Sequence, residues 1–287
     1  MKVEKISGEG AIIVSCFFFA VGAVLIKVIS GTVDIFLVSF CNFSTGIILG
    51  LSILRFSRER IRVKDSHYLL FRGMFGAIAM ICYFVAIHLT TSGRATLLNT
   101  TFPIFSAIFG FLLFQETITR NSVIGLILCI GGAFFVFFDK SGGTILGNII
   151  GLLSGIAGGM AAHYVKKARE RNHSIIVYLS ACVIGLLVTV FSVSQIVAIN
   201  GKTCLMLLAT GILAFVAQVL MTYGFKHTTA TRASIMTFFK IPLTLFLTVL
   251  ILQETMASRF IIGIILIVAG LVLNSWKRPE KPETVII

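Results

Sequence analysis

A lysine set in a greasy segment is the first residue of this chain that demands a chemical account. Lys240 stands about eight residues into the apolar run 233–252, roughly 12 Å from its start at 1.5 Å per helical residue. An ammonium near the middle of a bilayer costs at least about 2.5–3.5 kcal/mol, so it faces the bundle interior with a partner or a substrate. The other reading, a stem that snorkels to the interface, fits that depth less well. Helical spacing places Met236, Thr237, Lys240 and Thr244 on one face, with Phe239 next in sequence. A lysine flanked by hydroxyls suits a carboxylate or phosphate, met through charge-assisted hydrogen bonds. Arg72 opens another apolar run, and Gly76, Ala79 and Tyr83 follow it on one stripe.

A second feature accompanies these charges. Pro103 and Pro242 interrupt two runs and leave the carbonyls four residues back, at Asn99 and Phe238, without their usual donor. In a membrane such a group survives only inside protein or beside a wet cavity, although a kink can also serve plain packing. The candidate solute-binding set is Lys240, Arg72, Tyr83, Asn99, Thr237 and Phe239, with helix breaks at Pro103 and Pro242. Phe19, Phe102 and Tyr164 are further candidates to clasp an apolar part of a solute. Other polar groups read as structural. His88 and His163 lie near run ends and read as interfacial. Glu116 and Glu254 close their helices, pairing with Arg120 and Arg259 or capping through Thr119 and Ser258. Cys16, Cys41, Cys82, Cys129, Cys182 and Cys204 are scattered singly, without a spacing for metal or redox work.

The elements that position these residues are membrane spans. Of 287 residues, 57% are hydrophobic and only 12% charged, with mean hydropathy +1.03, against roughly 25% charged in soluble domains. Apolar runs occupy 10–29, 33–54, 67–89, 95–115, 121–138, 145–165, 174–199, 203–225, 233–252 and 258–276. Each has about the 17–25 residues that a spanning helix needs. They are apolar all round, unlike the alternating strands of a membrane barrel. The expectation is an all-α integral membrane protein of about ten transmembrane helices.

Net charge of +13 invites a nucleic-acid reading, but no exposed basic patch exists to support one. The cations sit on alternate connectors. One side holds Lys2, Lys5, Arg55, Arg58, Arg60, Arg62, Lys64, Arg120, Lys166, Lys167, Arg169, Arg171, Lys226, Arg232, Lys277, Arg278 and Lys281; the other holds Arg94, Lys140, Lys202 and Arg259. The positive-inside rule then puts both termini in the cytoplasm and requires an even number of spans. Lys2 and Lys5 precede a run too long for a cleaved leader, so the first span is read as retained.

An internal repeat organises the chain. Arg94-Ala95 matches Arg232-Ala233, Gln115-Glu116-Thr117 matches Gln253-Glu254-Thr255, Gly125 matches Gly263, and Gly132 matches Gly270, every pair 138 residues apart (232 − 94, 254 − 116, 263 − 125). Each half holds five spans. Five is odd, so the halves enter the bilayer from opposite sides, giving two inverted five-helix repeats of the kind found in secondary transporters.

The half-motif Tyr83…Ala95…Pro103…Gln115-Glu116-Thr117…Gly125…Gly131-Gly132 and its echo Tyr223…Ala233…Pro242…Gln253-Glu254-Thr255…Gly263…Gly270 resemble the drug/metabolite transporter superfamily, in its ten-span branch of two EamA-type repeats. Lys27 and Lys166-Lys167, closing the first span of each half, strengthen that resemblance. It implies units at 8–138 and 145–276, a cytoplasmic tail at 277–287, and a cavity drawn from the third, fourth, eighth and ninth spans. Many members carry an arginine in the second span, where this chain has Asn42, so no role passes to that position. Small multidrug relatives use a membrane-embedded glutamate in the first span; here only Glu9 stands at its entrance.

The expected function is secondary active transport of a small anionic or zwitterionic metabolite, an amino acid or similar carboxylate, across the cytoplasmic (inner) membrane by alternating access. Proton-coupled drug efflux is the alternative, and a non-transport membrane protein the remote one. Coupling would use protons or an exchanged solute, and the protein would be a monomer or homodimer. No enzyme chemistry is expected: no span holds the paired acids that would keep Mg²⁺ at a phosphate, and no metal or cofactor is called for. Lys240 also lacks the in-membrane aspartate that a retinal Schiff base would need as counter-ion.

Overall fold

The computed structural model describes residues 7–56, 63–116, 118–137, 144–198, 200–252 and 259–275. Lys2, Lys5, Arg58, Arg60, Arg62, Thr117, Lys140, Gln253, Glu254, Thr255, Ser258 and residues 277–287 lie outside them. The described chain is mostly helical, as long apolar runs in a membrane require, because each backbone group must then be satisfied within its own segment. The first half comprises α1 (Gly8–Ile29), α2 (Ile35–Phe56), α3 (Ser66–Leu89), a divided fourth span of α4 (Ser92–Asn99) and α5 (Phe102–Leu113), and α6 (Arg120–Phe137). The second comprises α7 (Ile145–Arg169), α8 (Ser174–Thr189) with a 3-10 extension (Val190–Ala198), α9 (Gly201–Phe225), a divided ninth span of α10 (Ala230–Met236), a 3-10 turn (Thr237–Phe239) and α11 (Lys240–Leu252), and α12 (Arg259–Ser275). Eight described helical stretches are long and apolar enough to cross a membrane. Two shorter apolar ones, Arg120–Gly132 and Ile261–Leu273, stand where the fifth and tenth spans are expected.

The repeat is carried into three dimensions by matched local devices. Thr91 accepts a hydrogen bond from Arg94 N to cap α4, and Thr229 accepts one from Arg232 N to cap α10. These side-chain caps satisfy amide groups that the first helical turn leaves open. Lys27, ending α1, donates to the Thr90 carbonyl at 2.5 Å, and Lys166, near the end of α7, donates to the Thr228 carbonyl at 2.5 Å.

The two halves interlock rather than sit side by side. The third span packs on the sixth and the first on the eighth, an exchange of partners between halves. α6 and α12 pack on one another antiparallel: a Cβ added at Gly132 would meet Gly263 O at 2.6 Å, and one added at Gly270 would meet Gly125 O at 2.6 Å. Midway between them, Cys129 Sγ reaches Ile267 O at 3.6 Å, and these residues are themselves 138 apart. Equivalent positions meeting with reversed chain direction is the geometry of an inverted repeat.

The fourth and ninth spans break where the prolines are, with a difference in detail. Pro103 occupies the first turn of α5 and Pro242 the first turn of α11, positions where a missing N–H costs little. Each proline therefore starts a second helix rather than bending one helix in its interior. The Phe238 carbonyl, expected to lack a donor, accepts from Lys240 N. The first helix of the opposite half backs each break: Gly155 of α7 lies against Leu98 O, and Cys16 of α1 donates to Thr237 O at 3.9 Å.

Candidate functional site

A cavity opens between α1, α3, the divided fourth span, α7, α9 and the divided ninth span. Small residues on α3 and α7, including Gly76, Ala79, Gly158 and Ala161, leave the room that it occupies. The first and sixth spans line it as well as the third, fourth, eighth and ninth. Sequence reasoning named only Phe19 of that share, because the rest is mostly small or apolar side chains that read as packing.

Lys240 is only 5% exposed and begins α11, where the break turns it into the cavity. Its Nζ donates to Asn99 Oδ1 at 2.8 Å and stands 5.0 Å from the centre of the Tyr83 ring and 5.7 Å from that of Phe19. Aromatic faces attract a cation through their quadrupole. Asn99 is fixed in turn by donating to Ser154 Oγ at 3.1 Å, and Tyr83 OH pairs with Thr96 Oγ1 at 2.8 Å. Asn99 and Lys240 are 141 residues apart and come from opposite halves, so the inverted packing creates this pair.

Arg72 is 2% exposed, its side chain enclosed by the bundle. Its guanidinium lies over Gly76, where an added Cβ would collide with Nη1. Nη2 donates to Gln218 Oε1 at 3.4 Å, and Nε has no hydrogen-bond partner. Gln218 carries no signature in the sequence beyond being a lone amide in an apolar run. Of the predicted set, Lys240, Arg72, Tyr83, Asn99 and Thr237 line the cavity together and Phe239 does not. Phe19 and Phe102 line it too, while Tyr164 stacks on Phe71 and Phe75 at 5.1 and 5.9 Å instead. Asn42 is fully buried behind the wall and donates to Thr210 Oγ1 at 3.1 Å.

A second polar cluster joins the halves elsewhere. His163 is 1% exposed rather than interfacial; its Nε2 meets Ser106 O at 2.7 Å, and its Nδ1 stands 3.6 Å from Glu116 Oε1. Glu116 does not turn to Arg120. Its oxygens accept from Ala230 N at 3.3 Å, Thr231 N at 3.4 Å and Thr231 Oγ1 at 2.9 Å, capping α10 in the other half. Negative charge is favoured at a helix N-terminus. Glu116→Gln is expected to lower stability by about 1–2 kcal/mol, as for a lost N-terminal cap with its charge, read as an earlier thermal melt in detergent. His88 keeps its expected place at the end of α3, exposed, with Nδ1 2.9 Å from Ser30 O.

Known proteins agree with this architecture. The model of the EamA-like transporter family matches residues 6–138 and again 145–276. A pseudopaline exporter, CntI of Pseudomonas aeruginosa, is 27% identical over 80% of this chain and 82% of its own. An uncharacterized transporter of Clostridium kluyveri is 24% identical over 92% of this chain and 91% of its own. A solved crystal structure superposes with a TM-score of 0.74 at 17% identity, over 94% of this chain and 95% of that one. Two family matches that together span nearly the whole sequence, on a two-repeat inverted bundle around a charged cavity, assign the chain: it belongs to the EamA-like transporter family, as a multi-pass membrane transporter and not an enzyme.

Proposed function

We propose that this protein is a secondary active transporter of a small anionic or zwitterionic carboxylate-like solute, such as an amino acid, in the cytoplasmic membrane. The observation that carries this reading is Lys240: a buried ammonium on the cavity wall that rests on the neutral Asn99 Oδ1. A cation held in place without an acid beside it is ready for the carboxylate of a cargo. Arg72, Tyr83, Asn99 and Thr237 complete the binding wall, and the breaks ahead of Pro103 and Pro242 let backbone and side chain turn toward it.

The two units, 8–138 and 145–276, both contribute to this wall, and alternating access exposes it to each side of the bilayer in turn. Both termini and the tail 277–287 are cytoplasmic in this scheme, and a proton or an exchanged solute supplies the driving force. Similarity to a pseudopaline exporter supports a metabolite as cargo. Proteoliposomes test the reading. Counterflow of carboxylated solutes, with no flux of cationic dyes, is the expected result. Dye flux without carboxylate flux would replace it with drug efflux.

A further inference from the structure

The cavity wall is lopsided in charge. It carries two cations, Lys240 and Arg72, and among the described residues that line it there is no Asp, Glu or His. Each cation leans on a neutral amide oxygen, Lys240 on Asn99 at 2.8 Å and Arg72 on Gln218 at 3.4 Å. An amide orients a cation but cancels none of its charge, and a buried charge without a counter-charge is costly. Arg72 also keeps Nε as an unused buried donor, on a group whose planar fork matches carboxylate and phosphate.

From this arrangement we infer that the cargo is a dianion with two acidic groups held apart by an apolar stretch, in preference to a zwitterionic amino acid. The inference rests on the reading of the cavity as the solute site. A zwitterion would cancel one cation and bring an ammonium for which the wall offers no acid. A dianion neutralises both.

The spacing of the two acids follows from α3. The Arg72 guanidinium lies over Gly76, and Lys240 Nζ lies over the Tyr83 ring. From Gly76 to Tyr83 the helix rises about 10 Å at 1.5 Å per residue. Between those points α3 itself lines the cavity with Ala79 and Met80, so the linking stretch is apolar. Suberate, a linear dicarboxylate, is close to this span in length, and succinate falls well short of it.

Full-length protein in proteoliposomes tests the inference with four probes: suberate, succinate, octanoate and 8-aminooctanoate. Labelled suberate is exchanged in counterflow, the others compete, and thermal stabilisation in detergent gives a second readout that does not depend on turnover. Suberate is expected to bind at least about tenfold better than the other three, the worth of one lost charge-assisted contact. Arg72→Gln is expected to remove the advantage of suberate over octanoate while octanoate still binds. If 8-aminooctanoate or octanoate matches suberate, the dianion is wrong and the carboxylate reading stands. If none of the four exchanges or stabilises, both fail.

Discussion

Replacing Lys240 with methionine is expected to abolish carboxylate counterflow while leaving the fold as stable as before. Loss of one charge-assisted hydrogen bond to cargo is worth about 1.5–3 kcal/mol, or about 10–150-fold in affinity. Two opposing terms act on stability. Substituting apolar residues for buried ionic groups is often neutral or stabilising by about 1–4 kcal/mol, yet Lys240→Met orphans Asn99 Oδ1, which costs about 1–3 kcal/mol. They nearly cancel. Adding Asn99→Leu removes the orphan, because Ser154 keeps its bond to Gly151 O. The double variant is therefore expected to melt later than wild type in detergent while remaining inactive. If stability fell in step with transport in both variants, Lys240 would be a structural residue and not a cargo ligand.

Valine at Gly132 and valine at Gly270 are expected to disrupt assembly to the same degree. These residues are equivalent in the repeat, and each lets α6 and α12 touch backbone to backbone, with 2.6 Å left for a Cβ. A side chain there meets a carbonyl, which cannot swing aside as a rotamer does. Overpacking a tight interface costs about 1–3 kcal/mol, and pushing backbone away lies at the upper end of that range. Size-exclusion profiles and melting temperatures of the two variants check this. Unequal losses would show that the two sides of the seam are not equivalent.

Much of this architecture could be read in the sequence because membranes restrict what a chain can do. The apolar runs become helical spans, the fourth and ninth divided in two, since no other open structure satisfies the backbone in lipid. Gly125, Gly132, Gly263 and Gly270 are legible as repeat partners, and the structure seats Gly132 on Gly263 and Gly270 on Gly125. Lys240 and Arg72 stand out because charge is rare in such runs. What stayed hidden was pairing. Nothing in the one-dimensional pattern tells that Lys240 chooses Asn99, that Arg72 chooses Gln218, or that Glu116 caps a helix more than a hundred residues away. A lone amide or carboxylate has no period, and its partner is set by how helices from opposite halves cross. The prolines misled in one respect: sequence shows that a helix is interrupted, but whether proline ends one segment or begins the next depends on the neighbour that backs the break.

The exchange of partners between halves also bears on how the molecule is made. A ribosome delivers the first five spans before the last five, yet Asn42 waits for Thr210, Arg72 for Gln218 and Asn99 for Ser154 and Lys240. The early intermediate holds polar side chains whose mates have not been synthesised. Its interior comes into being only when the closing helices arrive, so biogenesis ends with the chamber rather than passing through it.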